Sequence, residues 1–93
     1  MAVAVIQTFP ATMEQYEAVN AKLNARSDPP AGLIIHTATQ LDDGMKAIDI
    51  WESEADFQSF RESRLGPAVV EVAGPDAPTP QIEIYELFDV NKP

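Results

Sequence analysis

The chain contains one histidine, His36, and histidine is the side chain whose ordinary pKa lies closest to neutrality. His36 stands in Leu33-Ile-Ile-His-Thr-Ala-Thr-Gln40, whose β-branched residues predict a strand. A second predicted strand, Met45 to Trp51, carries Asp49 and Trp51. Between them Asp43-Gly44 is a strong hairpin signal, because a type I′ turn needs the positive φ that both residues tolerate. With those two residues as the turn, Asp42 pairs with Met45, Thr37 with Ile50, Thr39 with Ile48, His36 with Trp51 and Ala38 with Asp49. His36, Asp49 and Trp51 then share one face, with His36 diagonal to Asp49 at about 7–8 Å between Cα atoms. A carboxylate that accepts from one imidazole nitrogen orients the ring and raises its basicity. The other nitrogen can then abstract a proton from an acidic carbon or a phenol. This makes His36 and Asp49 the candidate catalytic pair. The competing reading is a pair that satisfies itself, or a helix backbone, in a polar corner of the core. Trp51, Tyr16, Phe57 and Phe60 are the candidate substrate-binding residues. Trp51 would stack on a ligand or anchor the core, Tyr16 would aim its hydroxyl into the same pocket or pack, and the two phenylalanines are core residues that also supply apolar walls.

Other chemistry-bearing motifs are few. Asp42-Asp43-Gly44 resembles the start of a calcium loop but lacks further ligands at alternating positions, so it reads as a turn. Arg61 and Arg64 would steer an anionic ligand or pair with nearby glutamates. No Gly-rich phosphate loop, nucleophile elbow or multi-ligand metal cluster is present in the sequence, and no cofactor or metal is expected.

The elements that must position these residues follow from local signals. Ala2 to Phe9 predicts a first strand that Pro10 stops. Thr12 and Gln15 form a capping box that opens a helix with Tyr16, Val19 and Leu23 on one face. Ser27-Asp-Pro-Pro-Ala-Gly32 breaks that helix. Ser53 and Asp56 predict a second capping box and a helix carrying Phe57, Phe60 and Leu65. Pro67 to Ala73 reads as a short helical continuation that Gly74 ends. After the proline-rich segment Gly74 to Pro80, Gln81 to Phe88 predicts the last strand. The order β-α-β-β-α-β is the ferredoxin-like, split βαβ arrangement of α+β proteins, with two helices on one face of a four-stranded antiparallel sheet. A single domain over residues 1–93 is expected. Strands 2 and 3 place Leu33, Ile35, Thr37, Thr39, Ile48 and Ile50 on one face, yet the opposite face also carries apolar residues. A sheet with water on one side should alternate cleanly. A homodimer whose sheets pack together is therefore expected.

Composition points the same way. A chain of 93 residues buries only about 60–65% of its unfolded surface. Small cores are usually reinforced by disulfides, a metal or a partner subunit; with no Cys and one His, disulfides and Cys/His zinc frameworks are excluded. Six Lys and Arg against 15 Asp and Glu give a net charge of −9, which repels nucleic-acid phosphates and anionic lipid headgroups, so neither nucleic acid nor membrane is an expected partner. The apolar opening lacks the positive residues of a signal peptide, and no stretch approaches the ~20 apolar residues of a membrane span. A cytoplasmic location is expected.

Asp49-Ile-Trp-Glu-Ser-Glu-Ala-Asp-Phe57, followed by Phe60 and Arg64-Leu-Gly-Pro67, resembles the strand-to-helix signature of the dimeric α+β barrel superfamily, and in particular the antibiotic biosynthesis monooxygenase group. Together with the order of elements and Gly32 before strand 2, the resemblance covers nearly the whole chain. It implies a homodimer with a pocket between sheet and helices in each subunit, acting on a small apolar, aromatic or polyketide-like molecule. Oxygenases of this group use an Asn, a Trp and a Tyr, without metal or flavin; the resemblance places these on Ala47, Trp51 and Phe57, so two of the three polar groups are absent. Haem-degrading relatives carry Trp and His where this chain has Phe60 and Val70, and an Asn on strand 1. Two function classes stay open: a cofactor-independent monooxygenase, cyclase or isomerase with His36 as base, Asp49 orienting it and Trp51 stacking on the substrate, or a non-catalytic ligand-binding or interaction module of the same fold.

Overall fold

A computed structural model describes residues 1–93. Strand β1 (Val3–Phe9) lies inside a four-stranded antiparallel sheet of order β2-β3-β1-β4, with β2 spanning Leu33–Leu41, β3 Gly44–Trp51 and β4 Gln81–Glu86. Helix α1 (Met13–Leu23) connects β1 to β2, and a helical segment from Glu54 to Ala73 connects β3 to β4. This is the expected ferredoxin-like α+β architecture. No helix is long and apolar enough to cross a membrane.

The helix starts behave as local chemistry dictates. Thr12 Oγ1 accepts from the Gln15 amide at 3.1 Å while Gln15 Oε1 accepts from the Thr12 amide at 3.0 Å, closing the capping box; a cap of this kind stabilises a helix by about 1 kcal/mol. Helix α1 ends at Asn24 in the left-handed conformation, φ 51°. The second box is only half made. Ser53 Oγ accepts from the Asp56 amide at 3.1 Å, but the return bond is absent, since Asp is one methylene shorter than the Glu or Gln that completes such a box.

The segment after Ser53 is one helical run rather than a helix and a continuation. Helix α2 (Glu54–Phe60) passes into a π-helical turn (Arg61–Leu65) and on into α3 (Gly66–Ala73). Pro67 is the cause: it has no N–H for the Ser63 carbonyl, and its ring crowds that turn. The run widens by one residue instead of breaking, and the Gly66 amide donates to Arg61 O, five residues back. Gly74 ends α3 with φ 89°. Strand β4 stops at Glu86, two residues before the predicted end, because its partner β1 begins at Val3; one further bond joins Leu87 N to Ala2 O at 2.8 Å.

The β2–β3 register differs from expectation by two residues. Leu41 pairs with Gly44 and Gln40 with Met45, so the two turn residues are Asp42 and Asp43. Neither has a positive φ. Gly44 serves another purpose: a Cβ there would collide with the Phe9 carbonyl oxygen at the end of β1. A two-residue shift keeps every side chain on its face, but it brings Asp49 directly opposite His36 instead of diagonal to it. A bulge between Leu33 and Ile35 pairs Leu33 with Trp51, turning Leu33 to the helix side and not, as expected, to the open face.

On the helix side Val3, Val5, Trp51 and Phe57 form the buried core, with Leu33, Phe60, Ile82 and Ile84 packed around it. Only 10 residues of 93 are buried, and α1 contributes none of them. The other side of the sheet carries Ile6, Ile35, Ile48, Ile50 and Tyr85, with Ile35 at 53% exposure.

Candidate functional site

Three rows of residues cross the helix side of the sheet. Val3, Trp51 and Leu33 make one, Val5, Asp49 and His36 the next, and Gln7, Ala47 and Ala38 the third. The middle row holds the chemistry. His36 Nδ1 lies 2.6 Å from Asp49 Oδ1, and Asp49 is 4% exposed, whereas the His36 side chain keeps 38% of its surface. The carboxylate therefore faces the imidazole and not solvent. From α1, Tyr16 lowers its hydroxyl onto the other ring nitrogen, with Tyr16 Oη 2.8 Å from His36 Nε2, and the two rings lie nearly parallel, 14° apart. With Asp49 ionised, Nδ1 carries the proton and donates to it, so Nε2 accepts from the Tyr16 hydroxyl. Tyr16, His36 and Asp49 thus form a continuous hydrogen-bonded chain from α1 through β2 to β3.

The electrostatics follow from that chain. The bond to Asp49 raises the His36 pKa above its ordinary 6.5, burial opposes this, and the Asp49 charge adds to it. Burial raises the Tyr16 pKa, as does the Asp49 charge, while Arg26 opposes them. Tyr16 is consequently a phenol at neutral pH. Because the folded His36 pKa lies above the unfolded value, protonation of His36 stabilises the fold below about pH 6.5, and this contribution is lost as pH rises through the folded pKa. In an NMR titration the His36 pKa is expected above 6.5 in the wild type and lower in Asp49→Asn, which keeps the shape and removes the charge; an unchanged pKa in the variant would show that Asp49 is not the cause.

The chain borders a cavity of about 340 Å³ between sheet and helices. Its walls include Tyr16, Val19 and Leu23 of α1, Leu33 and His36 of β2, Ala47, Asp49 and Trp51 of β3, and Phe60, Val69 and Val72 of the second helical run. The volume sits at the lower end of small-molecule sites, and the mostly apolar lining with a few convergent polar groups is their usual composition. Ala47 is small enough to leave the floor open above β3.

His36, Asp49, Tyr16, Trp51 and Phe60 thus come together around one space. Phe57 does not. It is fully buried, meets Trp51 edge-on with centroids 5.8 Å apart, and does not line the cavity, because its place in the first turn of α2 directs it down onto the core. Trp51 is 1% exposed and packs against both phenylalanines, with the Phe60 centroid at 5.3 Å. Its indole Nε1 has no hydrogen-bond partner. The Nε2 of His36 is not free, as the sequence reading had it, but holds Tyr16. Arg64 is also committed elsewhere. It donates to Leu23 O at 2.7 Å and Asp28 O at 2.9 Å and lies over the Phe60 ring, so its partners are carbonyls and an aspartate instead of glutamates. One lining residue was not anticipated. Gln7 is 6% exposed and points to the helix side of β1; the sequence signal was a single polar residue at an inward position of the alternation Val3, Val5, Gln7.

No family model matches the sequence, and no curated protein matches it. Solved structures do. A protein proposed to be an antibiotic biosynthesis monooxygenase from Caulobacter crescentus superposes with a TM-score of 0.70 over 95% of this chain and 91% of its own, at 19% identity. SnoaB, a cofactor-independent oxygenase from Streptomyces nogalater, gives 0.67 over 96% and 95% at 17% identity. A hydroxynitrile lyase from Passiflora edulis gives 0.62 over 98% and 97% at 11% identity. The chain has the ferredoxin-like α+β fold shared by these proteins. That fold is the one seen in antibiotic biosynthesis monooxygenase-like proteins, as the strand-to-helix resemblance implied.

Proposed function

We propose that this protein is an enzyme that moves a proton on a small, largely apolar molecule bearing an acidic carbon or phenol. The observation that carries this reading is the hydrogen-bonded chain Tyr16–His36–Asp49 at the wall of an apolar cavity of about 340 Å³. The substrate's acidic proton passes to Tyr16 Oη as the Tyr16 proton passes to His36 Nε2, leaving an imidazolium paired with Asp49 and a substrate enolate or phenolate. General acid–base catalysis of this kind contributes about 10²–10⁴-fold. The anion then has three fates: return of the proton at another atom (isomerisation), attack on a carbonyl of the same molecule (cyclisation), or reaction with dioxygen as co-substrate (oxygenation). An oxygenase and a lyase both occur on this fold; fold alone does not choose between chemistries. Ala47 and Phe57 stand where the resemblance places the polar groups of the oxygenases, which favours the first two fates.

The test is solvent deuterium exchange, followed by NMR, into enolisable aryl ketones and polyhydroxylated aromatics. Exchange by the wild type that is lost in His36→Ala supports the reading. Binding of these compounds without exchange would leave a binding module.

The exposed isoleucines of the open sheet face support a homodimer packed sheet to sheet. The wild type is expected to sediment as a dimer and Ile48→Glu as a monomer, since the charge would be buried unpaired. A monomeric wild type would end this proposal.

A further inference from the structure

Outside the Tyr16–His36–Asp49 chain the cavity is lined by four polar side chains, Gln7, Gln15, Asn20 and Asp76, and of these Gln7 alone is buried. It is 94% buried, being 6% exposed, lines the cavity, and its amide makes no hydrogen bond to any residue. Amides this deep in a protein are almost always partnered. Its polar atoms are not sealed within the protein, as the Trp51 indole nitrogen is, so they face the cavity space. Between Gln7 and the proton-transfer chain lies Ala47, whose small side chain leaves the path clear. Gln7 is two strands and one row away from His36, which by sheet spacing separates their Cα atoms by about 12 Å. Both residues line the cavity.

We infer that Gln7 is the second polar anchor of the pocket and sets its specificity: it takes a hydroxyl or carbonyl oxygen at the end of the ligand opposite the acidic proton. Resting on the proton-transfer reading, this narrows the substrate class to flat, apolar molecules with two oxygen functions at opposite ends. One end meets Tyr16 and His36; the other meets an amide that can donate to a carbonyl or accept from a hydroxyl. Gln7 is a positioning residue here and takes no part in the proton transfer.

The probes are 2,6-dihydroxynaphthalene, with a hydroxyl at each end, and 2-naphthol, with one. Calorimetric titration of the wild type is expected to show tighter binding of the diol, by roughly fivefold to tenfold for one hydrogen bond. In Gln7→Leu, which keeps the volume, the two compounds are expected to bind equally. The same variant is expected to melt no lower than the wild type, since the Gln7 side chain makes no hydrogen bond within the protein. A lower melting temperature would assign Gln7 a structural role and overturn the inference. So would an undiminished preference for the diol in Gln7→Leu, even with exchange chemistry at His36 intact. Failure of the wild type to bind either compound would instead remove the pocket reading itself, and Gln7 with it.

Discussion

Replacing His36 by Ala is expected to lower kcat/KM for proton exchange by about 10²–10⁴, the largest effect on activity of any single substitution in the chain. His36 is the central member of a three-residue chain with 2.6 and 2.8 Å links. Its loss separates Tyr16 from any acceptor and leaves the Asp49 carboxylate, at 4% exposure, facing a gap. Tyr16→Phe removes the oxygen that takes the substrate proton in the proposed relay and should lose a comparable factor. The two variants therefore read out the route of the proton: equal losses place the transfer through Tyr16, and a much smaller loss in Tyr16→Phe means that substrate meets Nε2 directly. The pH dependence carries an independent sign. A base must be neutral to accept, so the wild-type rate should rise with pH through the His36 pKa, which lies above 6.5. In Asp49→Asn the rise should move to lower pH. A rate that is flat across this range in both proteins would remove His36 as base.

Trp51→Ala is expected to cost about 3–5 kcal/mol of folding stability. Trp51 is 1% exposed and joins the core of Val3, Val5 and Phe57 to the Phe60 wall of the cavity. A domain of this size has about 5–15 kcal/mol in total, so a melting temperature lower by roughly 15 °C or more should be seen. The loss is moderated because the indole Nε1 has no partner to forfeit. A shift of only a few degrees would place Trp51 in the ligand site more than in the core. The contrast with His36→Ala separates the two roles: one substitution should cut turnover in a protein of near wild-type stability, the other should lower the melting temperature.

The fold was legible because its signals are local. The Thr12–Gln15 box, Pro10, Gly74 and the Ser53 cap mark element ends within three or four residues, and the order of elements then defines the sheet. The shared face of His36 and Asp49 was legible for a less direct reason. The turn lies one residue earlier than its Asp43-Gly44 signal, which shifts the pairing register by two, and side chains alternate with a period of two, so the face agrees while the partner differs. What escaped depends on atoms distant in sequence. Gly44 reads as a turn glycine until the Phe9 carbonyl is placed beside it. Pro67 reads as the start of a short continuation, yet one extra residue in the turn before it keeps the helical run unbroken. The bulge before Ile35 that turns Leu33 inward has no mark in Leu33-Ile-Ile. Tyr16 was visible as a helix-face residue, but which nitrogen its hydroxyl would meet depends on how α1 is laid across β2. Gln7 stands as a lone polar residue in an apolar alternation, and nothing local says what lies above it.

Helix α1 has no buried residue although Tyr16, Val19 and Leu23 face inward. In the free protein this helix spans a hollow: its apolar stripe rests partly on empty space, and Arg64 ties only its last turn down. A guest molecule would supply the contacts that other proteins draw from their own side chains. Occupancy and folding are then thermodynamically linked, a ligand at 100 times its Kd adding about 2.7 kcal/mol. The hollow under α1 thus offers a way to find the substrate before any reaction is known: the compound that most raises the melting temperature is the one the missing interior was shaped for.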